Sequence, residues 1–259
     1  EIETADLLVS AQTGSGKTVA FGIAMAPSLL MGAERLGRPG APLALVVAPT
    51  RELAVQVHRE LDWLYAEAGA RVVACVGGMD PREERAELSK GAHIVVGTPG
   101  RLVDHLNRGS LVLDEIRVVA MDEADEMLDL GFREELETLL SAAPETRRTL
   151  LFSATVSKPI ARLAETFQRD AVRINTISDT DPHADIDYRA HAIAPADVEN
   201  AIINVLRFHE AKNALVFCKT RANVNHLLAR FHNRGLSVVA LSGELSQSER
   251  THALQALRD

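Results

Sequence analysis

The sequence predicts an α/β fold: a parallel sheet with helices on both faces. Two features carry that prediction. Short, nearly unbroken apolar runs lie at 6–10, 43–48, 71–76, 93–97, 116–121, 148–152 and 171–175, and amphipathic or capped segments such as 51–66, 80–89, 99–108 and 157–168 separate them. Strands apolar on both faces belong to parallel sheets buried between helical layers. The second feature is where the polar motifs fall. Each follows directly on an apolar run, and open parallel sheets collect their ligands beyond the carboxyl ends of the strands.

The first run, Asp6-Leu7-Leu8-Val9-Ser10, leads into Ala11-Gln12-Thr13-Gly14-Ser15-Gly16-Lys17-Thr18 and then an apolar-periodic helix through Val19, Phe21, Ile23 and Met25. Gly14 and Gly16 permit a turn that bulkier residues resist. Such a turn points backbone N–H groups at an anion, aided by the positive end of the following helix. The segment matches the phosphate-binding loop pattern except at its first position, where Ala11 stands instead of glycine. Thr13, Gly14, Ser15, Gly16, Lys17 and Thr18 are therefore the expected nucleotide-binding set. Lys17 would reach the β- and γ-phosphates, and the Thr18 hydroxyl would ligate Mg²⁺.

The second run ends at Pro49, before Thr50 and Arg51; the third precedes Gly77-Gly78; the fourth precedes Thr98-Pro99-Gly100-Arg101. Taken singly, Thr50 and Thr98 read as helix N-caps and Pro99 as a first helical residue. The fifth run stops on Asp122-Glu123-Ala124-Asp125. Carboxylates at the end of a buried strand cost free energy unless a positive charge meets them. Mg²⁺ carrying nucleotide phosphates is a suitable partner, because it takes one or two carboxylates plus phosphate oxygens and waters. Asp122 is the expected metal-holding carboxylate beside Thr18, and Glu123 the expected general base. Lys17, Asp122 and Glu123 form the expected catalytic set, with ATP and Mg²⁺ as cofactors. The sixth run ends in Ser153-Ala154-Thr155, whose hydroxyls by themselves suggest a cap for the next helix.

Residues 176–187 have neither helical nor strand period and are rich in Asp, Thr, Ser and Pro, which predicts a linker. A second α/β pattern follows: strand 188–193, helix 196–209, strand 213–218, helix 220–234, strand 237–241 and helix 246–258.

With AQTGSGKT, PTRELA, Gly77-Gly78, TPGR, DEAD and SAT in that order, then VFCKTR at 216–221 and SGELSQSER at 242–250, the chain resembles a DEAD-box RNA helicase. The resemblance spans nearly the whole chain. It implies a RecA-like first domain at 1–175, the linker, and part of a second RecA-like domain at 188–259. It implies that Asp125 bonds to Ser153 and Thr155, coupling nucleotide state to RNA grip. It implies RNA contacts from Pro49, Thr50, Arg51, Gly77, Gly78, Thr98, Pro99, Gly100 and Arg101, joined by Gly243, Gln247 and Arg250. The family's upstream glutamine motif and its C-terminal arginine segment have no counterpart here. The 259-residue chain alone is thus expected to bind adenine nucleotide weakly and to show little RNA-stimulated hydrolysis.

Composition agrees. A hydrophobic share of 46% with 25% charged residues is that of a globular chain with a sizeable core. No apolar stretch reaches membrane-spanning length, and Glu1-Ile2-Glu3 does not resemble a signal peptide. Cys75 and Cys218 sit in apolar runs and read as small core residues of a reducing cytoplasm. The histidines lack metal-ligand spacing. The net charge of −8 divides into −11 for 1–187 and +3 for 188–259, so bulk attraction to RNA is not the design. An aromatic content of 4% also argues against a base-stacking platform. What remains is a local grip on the sugar-phosphate backbone, with little base reading. Two other functions share these motifs, a nucleotide-gated RNA clamp and a double-stranded-DNA translocase. Intact Lys17, Asp122 and Glu123 count against the first, and the DEAD spelling against the second.

Overall fold

The computed structural model describes residues 4–12, 14–78, 80–176 and 186–258. The seven expected apolar runs form seven strands: β1 (Leu7–Ser10), β2 (Ala44–Val47), β3 (Val72–Cys75), β4 (Ile94–Gly97), β5 (Val118–Met121), β6 (Arg148–Ser153) and β7 (Val172–Asn175). All pair in parallel, in the order β3-β4-β2-β5-β6-β1-β7. Helices α1 (Lys17–Leu30), α2 (Arg51–Leu64), α3 (Pro81–Ser89), α4 (Pro99–Asn107), α5 (Ala124–Asp129), α6 (Arg133–Ala142) and α7 (Lys158–Phe167) alternate with them. The short α5 and the α6 that follows it were not among the segments expected from periodicity.

Side chains of a strand alternate between faces, and here both faces are dry. Leu45, Val47, Val119, Met121 and Leu151 pack with Leu102, Met127, Leu139 and Leu163 from α4 to α7. Their strand neighbours Ala44, Val46, Val118, Ala120 and Leu150 pack with Phe21 and Met25 of α1 and Val57 and Leu61 of α2. Burial on both sides explains why these strands read as apolar throughout. At the edge, β7 keeps Arg173 and Asn175 exposed, which discourages further pairing. Asp6 pins the start of β1: its Oδ1 accepts the Thr149 N–H at 2.8 Å and its Oδ2 the Arg169 N–H at 2.7 Å.

The chain divides into two compact units, Glu1–Asp179 and Thr180–Asp259. The division falls within the expected linker 176–187, of which 177–185 lie outside the described residues. The second unit contains α8 (Val198–Phe208), α9 (Arg221–Asn233) and α10 (Gln247–Arg258), near the expected helices, and a 3-10 turn at Pro195–Asp197. Glu199 of α8 meets His226 and, at 2.7 Å, Arg230 of α9. The strands expected at 188–193, 213–218 and 237–241 are not formed. A strand needs ladder partners and a buried face, and here Tyr188, Leu215, Phe217 and Val239 are exposed. Among the described residues, no helix is long and apolar enough to cross a membrane.

Phe21 of α1 meets Phe152 of β6 edge-on, with ring centroids 5.5 Å apart, and both are buried. Phe21→Ala should destabilise the first unit by about 3–5 kcal/mol through the cavity it leaves. Urea denaturation checks this: the midpoint should fall while the slope stays near the wild-type value.

Candidate functional site

The carboxyl ends of β1, β5 and β6 bring three of the sequence motifs to one edge of the sheet. After β1, the Ala11 N–H donates to the Ser153 carbonyl at 3.1 Å and continues the pairing with β6. Ala11 is buried and has no left-handed backbone, so its position does not require glycine. The turn itself lies at Gly14 and Gly16, both with φ of 80°. That conformation suits glycine and strains other residues. Ser15 closes the loop by donating from Oγ to the Gln12 carbonyl at 2.7 Å. Thr13 lies outside the described residues. Lys17 opens α1 and is buried together with Thr18.

Lys17 Nζ lies 4.0 Å from Asp122 Oδ1 and 4.0 Å from Glu123 Oε1, and donates to the Ala11 carbonyl at 3.4 Å. Glu123 precedes α5 with φ 53° and ψ 52°, a left-handed conformation that costs a non-glycine residue about 1–3 kcal/mol. Such strain is concentrated at functional sites. Asp122 is only 2% exposed, and its Oδ1 has no hydrogen-bond partner among the described residues. Burial pushes its carboxyl up to about 6, against the pull of Lys17 and reinforced by Glu123. A buried carboxylate oxygen without a hydrogen-bond donor among the described residues fits the oxygen ligands a hard divalent cation takes.

The last acid of the tetrapeptide has a different environment. Asp125 Oδ2 accepts both the Thr155 N–H and the Thr155 hydroxyl at 3.0 Å. The Ser153 hydroxyl donates to the Thr155 carbonyl at 2.7 Å. Burial raises the Asp125 carboxyl, but the nearby Ser153 hydroxyl, the Thr155 hydroxyl and the backbone N–H groups beside it outweigh burial and leave the group below the usual carboxylate range. Neither hydroxyl caps the next helix, because Ser157 holds the N-cap position of α7.

The segments after β2, β3 and β4 meet one another. Pro49 is buried and ends the β2 run, and Thr50 caps α2 by accepting the Leu53 N–H at 3.3 Å. The Arg51 guanidinium lies over Gly77 and Gly78. A Cβ on Gly77 would sit 3.1 Å from Arg51 Nε, and one on Gly78, whose φ is +88°, would collide with Nη1. Thr98 precedes α4 without a capping bond, Pro99 is buried and Gly100 is exposed with open space around it. Arg101 turns inward, its Nη1 3.4 Å from Glu84 Oε2.

Comparison with known proteins agrees with this geometry. The DEAD/DEAH box helicase profile matches residues 2–163, and the helicase conserved C-terminal domain profile matches 197–259. The chain belongs to the DEAD/DEAH box helicase family. It is 38% identical to the DEAD-box ATP-dependent RNA helicase CshA of Geobacillus kaustophilus, covering 100% of this chain and 54% of that protein. It is 35% identical to the ATP-dependent RNA helicase dbp3 of Aspergillus terreus, covering 98% and 52%. The structure of a DEAD box protein from Methanococcus jannaschii superposes with a TM-score of 0.60 at 33% identity, covering 98% of this chain and 66% of that one. The chain thus spans about half the length of the curated relatives it matches.

In the second unit of this DEAD-box chain, Gly243 lies beside Arg221, whose Nη1 is 3.3 Å from Glu244 Oε1. Gln247 opens α10. Ser246 and Glu249 form a reciprocal capping box there: Glu249 Oε2 accepts the Ser246 N–H at 2.7 Å, and Ser246 Oγ accepts the Glu249 N–H at 3.3 Å. The Arg250 N–H donates to the Ser246 carbonyl at 3.0 Å, in the first turn of α10. The sequence reading missed Glu84 and His105. Their signal was weak, a glutamate on a polar helix and one histidine among scattered others.

The Asp122 carboxyl gives a pH test. Its folded-state value of about 6 lies above the ordinary 3.8. Its contribution to stability is therefore fully present below about pH 4 and lost as pH rises through 6. In EDTA and without nucleotide, Asp122→Asn should be more stable than wild type at pH 7.5, by on the order of 2–3 kcal/mol. The advantage should vanish near pH 4. Chemical denaturation of both proteins across that range measures it.

Proposed function

We propose that this chain is the ATP-driven, RNA-gripping core of an ATP-dependent RNA helicase. The observation that carries the reading is the meeting of Lys17 with Asp122 and Glu123 at 4.0 Å, at the end of a loop with open space beside Gly14 and Gly16. Lys17 moves from the carboxylates to the β- and γ-phosphates when nucleotide enters. Thr18 and Asp122 would hold Mg²⁺, which would neutralise phosphate charge and favour the ionised carboxylate. Glu123 orients the attacking water and takes its proton as the γ-phosphoryl group leaves ADP.

RNA binds through its sugar-phosphate backbone, to the helix starts and arginines of PTRELA, Gly77-Gly78 and TPGR in the first domain. Gly243, Gln247 and Arg250 serve from the second. The names of the relatives support RNA as the substrate. The contact of Asp125 with Thr155 joins the acidic strand end to the segment after β6 and supports a coupling role. Residues 1–175 form the first RecA-like domain and 188–259 the N-terminal part of a second, joined by 176–187. Two free cysteines are consistent with a reducing cytoplasm.

Two sets of variants test this in the full-length protein. Lys17→Ala should abolish tight ATP binding. Glu123→Gln should keep ATP affinity and lower single-turnover hydrolysis by about 10²–10⁴. Wild-type hydrolysis by Glu123→Gln would remove Glu123 from the role of base. Ser153→Ala combined with Thr155→Ala should retain part of the ATPase rate while strand displacement falls further. Equal losses in the two assays would refute coupling through these hydroxyls.

A further inference from the structure

Helix α3 is mostly polar, and the one residue it buries fully is charged: Glu84, 3% exposed. A carboxylate taken out of water costs free energy unless hydrogen bonds and charges compensate it. Here the compensation comes from two other segments. Glu84 Oε1 accepts the N–H of Val76, the residue ahead of Gly77-Gly78, at 2.8 Å. Glu84 Oε2 lies 2.7 Å from His105 Nε2 and 3.4 Å from Arg101 Nη1, both on α4. With Glu84 as the acceptor of that bond, Nε2 of His105 is its donor. The other ring nitrogen, Nδ1, lies 2.9 Å from Ser110 Oγ.

We infer that Glu84 is a positioning residue for the RNA grip: one carboxylate fixes the direction of Arg101 and anchors the backbone turn beneath Arg51. The inference rests on the RNA-binding reading of PTRELA and TPGR given above. Its physical basis is preorganisation. A long arginine side chain held before RNA arrives loses less rotamer freedom on binding. The glycine turn on which the Arg51 guanidinium lies is held at its strand end by the Val76 bond, so the resting places of both arginines depend on the same carboxylate.

The same cluster presents another chemistry. Ligand atoms of Cys75, Glu84 and His105 lie within 4.8 Å of one another, a spacing a metal ion could use. Burial pushes the Cys75 thiol up to about 12, so it stays protonated, whereas metals bind the thiolate. The Arg101 guanidinium already faces the carboxylate such an ion would need. The geometry favours a positioning network.

Glu84→Gln is the informative variant. It keeps the size and an acceptor for the Val76 amide, and its NH₂ can face His105 once the ring changes tautomer. It loses the negative charge facing Arg101. The assay is fluorescence anisotropy of labelled single-stranded RNA with full-length protein and a non-hydrolysable ATP analogue. Analogue affinity and thermal stability are measured in parallel. Glu84→Gln should weaken RNA binding by about tenfold, as expected when the Arg101 side chain loses the charge that holds it and must be ordered on binding, and leave nucleotide affinity within about twofold. Combined with Arg101→Gln, it should add little to the loss from Arg101→Gln alone, because the two act as one unit. Unchanged RNA affinity, or additive losses in the double variant, would overturn the inference. So would failure to fold, or an equal fall in nucleotide affinity, since Glu84 would then serve the core alone. If wild type binds no RNA, the helicase reading itself fails, which is a distinct result.

Discussion

Every strand of the sheet runs in the same direction, so every strand-to-helix connection emerges at one edge. This constraint organises the rest of the molecule. It sets the phosphate loop after β1, the acidic tetrapeptide after β5 and Ser153-Ala154-Thr155 after β6 side by side, because β6 lies between β1 and neighbouring β5. The connections after β2, β3 and β4 form a second group at the same edge, because those strands are also adjacent. The first group holds the residues proposed to bind nucleotide. The second holds the arginines proposed to grip RNA.

Within the first group, two aspartates three residues apart behave in opposite ways. Asp122 is drawn into the dry end of β5 with an unmet oxygen, and its carboxyl rises. Asp125, one helical turn later, receives hydrogen bonds from the segment after β6 and stays low. The first is poised to gain from an incoming cation, and the second is already compensated by the fold. Residue type does not separate them; donor supply does. The strained Glu123 lies between, turned so that its carboxylate joins Asp122 at the Lys17 ammonium.

The second unit marks the limit of apolar periodicity as a predictor. Its helices form near where the pattern predicts, because capping and amphipathic spacing are local properties; Thr220 caps α9 and Ser246 with Glu249 caps α10. Its strand-like segments carry the right residues but no ladder. A strand makes no hydrogen bonds within itself, so its N–H and C=O groups depend on neighbouring strands.

The sequence by itself determined the α/β class, the positions of all seven strands, the glycine turn, the acidic strand end and the family. These are short-range facts, written in periodicity and in contiguous motifs that emerge at strand ends. The tertiary structure decided which of those residues meet. It laid Arg51 over Gly77-Gly78, turned Arg101 inward to Glu84, and drew His105 into the same cluster. It also gave Asp122 and Asp125 their opposite environments. Each such contact joins residues tens of positions apart, from connections that adjoin only once β2, β4 and β3, or β5 and β6, have paired. No local pattern encodes that adjacency, because strand order is a property of the packed sheet.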